Sequence, residues 1–194
     1  MKRLVLILLM LPFAANADVI TSMVGDADCF GLGGTCADGD LYRDGLGGSF
    51  FADNRDAGDL ATASHTDNWG VPGTTTWTHA YTLTGGAVQS AFLDLVIAGF
   101  ADIGSVNLFA DGALVATFDF PRQFQTVHFL TVAVPLAAID GSTLFSLGPS
   151  GGDGYIMDYT TLRITTAAVP EPATLALLGL GLAGIGFARR RKQV

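Results

Sequence analysis

The chain has 194 residues, with 10 Lys and Arg against 18 Asp and Glu, and a formal net charge of −8 at pH 7. Between Asp18 and Val169 the imbalance is sharper: Arg43, Arg55, Arg122 and Arg163 face 17 Asp, for a net −13 without a single Lys or Glu. Such a surface repels phosphate backbones, which excludes nucleic acid as a partner.

The N-terminus, "MKRLVLILLMLPFAANA", places Lys2 and Arg3 before an apolar run from Leu4 to Phe13 and small residues at Ala15 and Ala17. Charged start, short apolar run and A-x-A end are the parts of a secretory signal peptide. The run is too short to span a bilayer of about 30 Å. Residues 1–17 are therefore expected to be removed, with Asp18 the first mature residue.

Residues 18–168 form the expected body, one domain of a size able to bury its own core. Export makes its two cysteines readable. Cys29 and Cys36, in "DCFGLGGTCAD", are an even pair across a Gly-rich spacer, and an oxidising compartment favours a disulfide between them. Around them lies a stretch rich in Asp and Gly, from Gly25 to Gly73, with nine Asp. A Cys29–Cys36 bridge would draw Asp26 and Asp28 toward Asp38 and Asp40. Calcium takes six to eight oxygen ligands in irregular loops, so these four carboxylates are the candidate metal set. Solvated turn chemistry is the competing reading of the same Asp-Gly steps.

After the loops come short β-rich runs separated by Gly, Asp and Pro. In "TTTWTHAYTLT", Thr74–Thr84, the residues Trp77, His79, Tyr81 and Leu83 share one parity. In "AVQSAFLDLVIAGF", Leu93, Leu95 and Ile97 share a face. "SVNLFADGALVATFDF" predicts a hairpin that turns at Asp111-Gly112, a favoured two-residue turn, with Leu114, Ala116, Phe118 and Phe120 on one side. Further strands are predicted at Gln125–Val134, Ser142–Leu147 and Tyr155–Thr166; in the last, Ile156, Asp158, Leu162 and Ile164 share a parity. "LGGSFFAD" is a further short candidate. About eight strands without an internal repeat predict a mainly β fold, a single antiparallel β-sandwich or jelly roll.

Catalytic signals are weak. His65, His79 and His128 lack zinc-ligand spacing, and neither a G-x-S-x-G elbow nor a distinctive carboxylate pair is present. The body is expected to be non-enzymatic. Trp69, Trp77, Tyr42 and Tyr81 admit two readings, a sugar-binding platform or core packing, with Trp77 on a strand face shared with Tyr81.

The segment 169–194 begins "VPEPATLALLGLGLAGIGFARRRK". Ala173–Ala188 is uncharged over 16 residues, and as a helix it rises about 24 Å. Pro172 suits the first turn of a helix. The basic cluster Arg189, Arg190, Arg191 and Lys192 is expected on the cytoplasmic side by the positive-inside rule. The order of Pro-Glu-Pro, Gly- and Leu-rich span and basic cluster resembles the PEP-CTERM sorting domain.

That resemblance implies recognition by an exosortase, a membrane-embedded cysteine protease-transpeptidase of Gram-negative bacteria that make exopolysaccharide. It implies that Val169, Pro170, Glu171 and Pro172 form the recognition motif, as substrate residues. The implied route is export through the inner membrane, transient anchoring by the C-terminal helix, then the cell surface or the extracellular matrix. Features such as "DCFGLGGTC", "LDLVIAGF" and "NLFADGALV" resemble β-rich bodies of other PEP-CTERM proteins. The expected role is a surface or matrix protein associated with exopolysaccharide. A carbohydrate- or calcium-binding module is the alternative, and a secreted hydrolase or an ice-binding protein stands behind it.

Overall fold

A computed structural model describes residues 17–31, 35–41, 74–99, 105–120, 126–149, 155–168 and 179–184. The expected signal peptide up to residue 16, the strand at "LGGSFFAD", His65, Trp69, Tyr42, the sorting residues Val169, Pro170, Glu171 and Pro172, and the cluster Arg189, Arg190, Arg191 and Lys192 lie outside them. Residues 179–184 are helical. Among the described residues no helix is long and apolar enough to cross a membrane.

The body is mainly β. Its strands are β1 (Val19–Gly25), β2 (Thr75–Ala80), β3 (Val88–Ala98), β4 (Ser105–Ala110), β5 (Ala113–Asp119), β6 (His128–Ala133), β7 (Ser142–Pro149) and β8 (Ile156–Thr166). They form two four-stranded antiparallel sheets. The front sheet has the order β1-β8-β3-β6 and the back sheet β2-β7-β4-β5. Seven strands fall where alternation places them. β1 is the addition: its Val19, Ile20, Met23 and Val24 point both ways, so it carries no clean period of two.

Alternation builds the interior. Leu93, Leu95 and Ile97 of β3 and Leu162 and Ile164 of β8 are fully buried from the front sheet. Val106, Leu108, Phe145 and Leu147 meet them from the back sheet in one hydrophobic cluster. Trp77 belongs to this cluster, its ring stacked on Phe145 with centroids 5.8 Å apart. The structure therefore assigns Trp77 to the core, and Tyr81 packs half-buried beside it, its hydroxyl 2.8 Å from that of Thr143.

His79 is a polar member of this interior, beside the buried Thr75, Thr143 and Thr160. It is fully buried, with Nδ1 3.1 Å from the Ser22 hydroxyl of β1 and Nε2 2.9 Å from that of Thr160 on β8. The histidine of one sheet is thereby satisfied by hydroxyls of the other. Burial lowers its pKa to about 4, against a smaller opposing effect of Ser22, so the ring is neutral at physiological pH.

The predicted hairpin is present, with Asp111 at φ 47° and Gly112 at φ 79°, the two left-handed positions such a turn requires. A bulge next to it revises the predicted parity. Leu108 pairs with Ala116 and Phe109 with Leu114, so β5 holds an extra residue. One inserted residue exchanges the two faces of a strand, and Leu114 is 57% exposed instead of inward.

Candidate functional site

A second bulge shapes the front sheet. Leu95 pairs with Thr160 but Ile97 with Met157, so Asp158 and Tyr159 together oppose Val96. The parity predicted to unite Ile156 and Asp158 with Leu162 and Ile164 is thereby broken. Met157, Leu162 and Ile164 enter the main core, whereas Ile156 joins a second cluster with Cys29, Phe30, Val96, Ala98 and Val127. Val96 and Ala98 stand on the opposite parity of β3 from Leu95 and Ile97. This cluster therefore lies on the outer side of the sheet, where the loop after β1 folds back over it.

Cys29 and Cys36 are joined by a disulfide, their Cα atoms 5.5 Å apart. Cys29 (φ 68°) and Phe30 (φ 58°) both occupy the left-handed region, followed by Gly31 (φ 70°). Such positions cost about 1–3 kcal/mol each for residues with a Cβ. Three features hold them: the crosslink, the full burial of Phe30, and a 2.8 Å hydrogen bond from the Phe30 N–H to Asp158 Oδ1. Asp28 closes the turn by accepting the Gly31 N–H at 2.7 Å.

Asp158 is almost completely buried at 2% exposed. Its pKa is pushed up to about 7, chiefly by burial. The Phe30 N–H opposes this, the nearby Asp28 and Asp26 carboxylates add to it, and the Cys29 backbone opposes it again. Burial also raises the Tyr159 phenol, helped by Asp158 and Asp94. Asp158 and Tyr159 line an open pocket of about 120 Å³ together with Ala27, Cys29, Thr35, Cys36 and Phe129.

The four predicted calcium ligands are not assembled as the sequence pattern implied. Asp26 and Asp28 lie in the field of Asp158. Asp38 accepts the Phe129 N–H on edge strand β6 at 2.9 Å, and Asp40 accepts the Ala37 N–H at 2.8 Å. Among the described residues no group of three or more His, Cys, Asp or Glu is placed to hold a metal ion. The physical reason is competition from backbone donors: Asp28 and Asp40 accept N–H groups three residues away, and Asp38 accepts one from the neighbouring strand β6. His128 sits next to this tie, 8% exposed, its ring 4.3 Å from that of Phe120. Burial lowers its pKa and Asp38 opposes the shift.

Beyond the loop the outer face of the front sheet is open. Its rows follow from register. Thr21, Arg163, Phe92 and Ala133 form one, and Met23, Thr161, Asp94 and Thr131 the next. Phe129 stands opposite Val96 at the pocket end. Arg163 grips Asp94 with two prongs, Nε to Oδ2 at 2.6 Å and Nη2 to Oδ1 at 2.9 Å, and the Thr131 hydroxyl donates to Oδ1 at 2.6 Å. The guanidinium carbon lies 6.0 Å from the Phe92 ring centre. Burial works to raise the Asp94 carboxyl, but Arg163 and Thr131 outweigh it and hold the group below the usual carboxylate range.

Sequence reasoning singled out none of Phe92, Asp94, Phe129, Tyr159 or Arg163. A signal existed for one pair: Phe92 and Asp94 occupy the parity opposite Leu93 and Leu95, so an aromatic ring and a carboxylate had to face outward together.

The model of the PEP-CTERM protein-sorting motif matches residues 168–192. The chain carries a PEP-CTERM sorting motif. The match spans the quoted Val-Pro-Glu-Pro, the apolar run and the basic cluster, and it leaves the body unassigned. No curated protein sequence is similar to the chain. Among solved structures, similarity extends to dimeric latent PorU from Porphyromonas gingivalis (14% identity, 48% of this chain and 10% of that one, TM-score 0.40). It extends also to a family 35 carbohydrate binding module from an environmental isolate (18%, 56% and 85%, TM-score 0.38). A third is a β-porphyranase of glycoside hydrolase family 86 from Bacteroides plebeius (12%, 54% and 20%, TM-score 0.38). The chain spans only a tenth of the length of the first of these, and at such scores the likeness carries no argument about ligand or activity.

Proposed function

We propose that this is an exported, exosortase-sorted protein of the cell surface or extracellular matrix, non-enzymatic and associated with exopolysaccharide. The sorting motif at residues 168–192 carries the reading. Pro170 and Pro172 each disfavour helix at the residue before, which keeps Glu171 in an extended segment that a protease cleft can bind. The apolar run then holds the precursor in the membrane, with Arg189, Arg190, Arg191 and Lys192 inside. The body is proposed to be a jelly-roll sandwich: eight antiparallel strands in the orders β1-β8-β3-β6 and β2-β7-β4-β5, around one shared core, support it.

The test is mass spectrometry of the C-terminal peptide in hosts with and without the matching exosortase. The tail is expected to be lost in the first and kept in the second. Replacing Pro170, Glu171 and Pro172 by Ala should leave export intact and block processing. An intact Arg189–Val194 end on protein released by the native host would refute the reading. The second reading, a carbohydrate-binding module, is favoured by one observation, the outward aromatic and ion-paired residues of the front sheet.

A further inference from the structure

We propose that the outer face of the front sheet, from Phe92 to the pocket beneath the Cys29–Cys36 loop, is a binding site for a neutral polysaccharide. The inference rests on the exopolysaccharide reading above and assigns it a surface.

Charge selects the ligand class. Arg163 is the only cationic side chain among the described residues, and its bidentate pairing with Asp94 cancels it. The described rows otherwise hold Thr, Met, Phe and Ala, and the pocket end adds Tyr159 and Asp158, with Asp26, Asp28 and Asp38 near by. Among the described residues, a surface whose one cation is paired and whose remaining charged groups are carboxylates, on a body with a net −13, repels polyanions and offers no counter-charge to an anionic lipid or an acidic glycan.

The arrangement of polar and apolar groups narrows the choice. Phe92 is 38% exposed and Phe129 44% exposed, yet the row with Thr161, Asp94 and Thr131 separates them. Their positions are four residues apart along the strands, about 13 Å at 3.3 Å per residue. A protein partner is best served by a continuous apolar centre, which this face lacks. A chain of pyranose rings presents apolar C–H faces alternating with hydroxyls, and the rows match that alternation.

The Asp94–Arg163 pair suits hydroxyl groups in particular. A guanidinium has five N–H donors, of which Asp94 takes two, and a carboxylate has lone pairs left after accepting from Arg163 and Thr131. A sugar hydroxyl both donates and accepts, so it can use each side of the pair. Because Arg163 and Asp94 are already locked together, the polar groups need no rearrangement to receive it. At the far end, Tyr159 and Thr35 are among the residues that line a pocket of about 120 Å³.

The experiment is affinity electrophoresis of the exported full chain, in mild detergent, through gels containing hydroxyethylcellulose, galactomannan or dextran, with alginate as the anionic counterpart. Retardation is expected in at least one neutral gel and not in alginate. Phe92→Ala and Phe129→Ala, each with an unchanged melting temperature, should weaken the apparent affinity at least tenfold. Thr78→Ala, on the exposed face of the back sheet, should leave it unchanged. Absence of retardation in every neutral gel overturns the proposal, as does retardation in alginate alone, or retardation that both Phe variants retain. A dimer abolished by Phe92→Ala without retardation would make the face an interface between copies and overturn it equally. Tail processing, scored on the same samples by mass, reports on sorting separately, so failure of one reading is not mistaken for failure of the other.

Discussion

On the outer face of the back sheet, Thr76 stands opposite Ser146, Thr78 opposite the exposed Leu144, and Asn107 opposite Thr117, which donates to it at 2.8 Å. On the outer face of the front sheet the corresponding layer holds Phe92, an Arg163–Asp94 fork and, at one end, a disulfide-bonded loop with a buried carboxylic acid beneath it. Both faces surround the same core and both are cut by bulges. The back-sheet bulge turns Leu114 into solvent, whereas the front-sheet bulge delivers Asp158 to the loop and Tyr159 to the pocket. The contrast separates what a two-layered fold requires from what one face has added to it.

The sharpest way to break this comparison is through the core the two faces share. Phe145 is fully buried, stacked on Trp77 and edge-on to His79 with ring centres 5.6 Å apart. Phe145→Ala is expected to cost about 3–5 kcal/mol in urea unfolding. A cost below about 1 kcal/mol would mean that the sheets do not depend on one interior.

Titration sharpens the comparison further, because the two buried groups act with opposite sign. The folded pKa of His79 is lowered to about 4, below the ordinary 6.5. Its contribution is complete above pH 6.5 and is lost as pH falls toward 4, since the unfolded chain binds the proton first. His128, also lowered, acts in the same direction. Asp158 is raised to about 7 from 3.8, so its contribution is complete below pH 3.8 and is lost as pH rises through 7. Between pH 4 and 6.5 the two slopes oppose. His79→Gln should expose the decline with rising pH, and Asp158→Asn, which keeps an acceptor for the Phe30 N–H, should expose the rise. Thermal melts across pH 4–8 for the parent and both variants check this; parallel profiles for all three would contradict it.

Strand positions were largely legible because alternation is local. Trp77 with His79 and Leu93 with Leu95 each sort by parity, and the Asp111-Gly112 turn is written in two residues. The errors fell where a single inserted residue changes a face. No pattern in "ALVATFD" marks the bulge that exposes Leu114, and none in "IMDYTTL" marks the one that parts Asp158 from Leu162. The Cys29–Cys36 bridge was legible from export and count. The fate of Asp28, Asp38 and Asp40 was not, because their nearest partners are backbone N–H groups whose positions only the folded loop and the neighbouring strand determine. Trp77 shows the same limit: parity placed it on a face, and only the opposing sheet showed that face to be interior.

The smallest expected stability effect lies at the centre of the front face. The Arg163 side chain is 47% exposed and that of Asp94 27% exposed. Ion pairs of such exposure contribute about 0–1 kcal/mol, because water and salt screen them and two side chains must be held still. The bidentate geometry and the Thr131 hydroxyl place this pair toward the upper end of that range. A double-mutant cycle with Arg163→Gln and Asp94→Asn should therefore give a coupling of at most about 1 kcal/mol in unfolding, falling further in high salt. The same single variants should weaken neutral-glycan retardation well beyond their effect on stability, since each leaves its partner without the fixed geometry that receives a hydroxyl. A coupling near 3 kcal/mol would instead place the pair among the groups that hold the fold together, and the distinction between the two faces would then be one of structure and not of recognition.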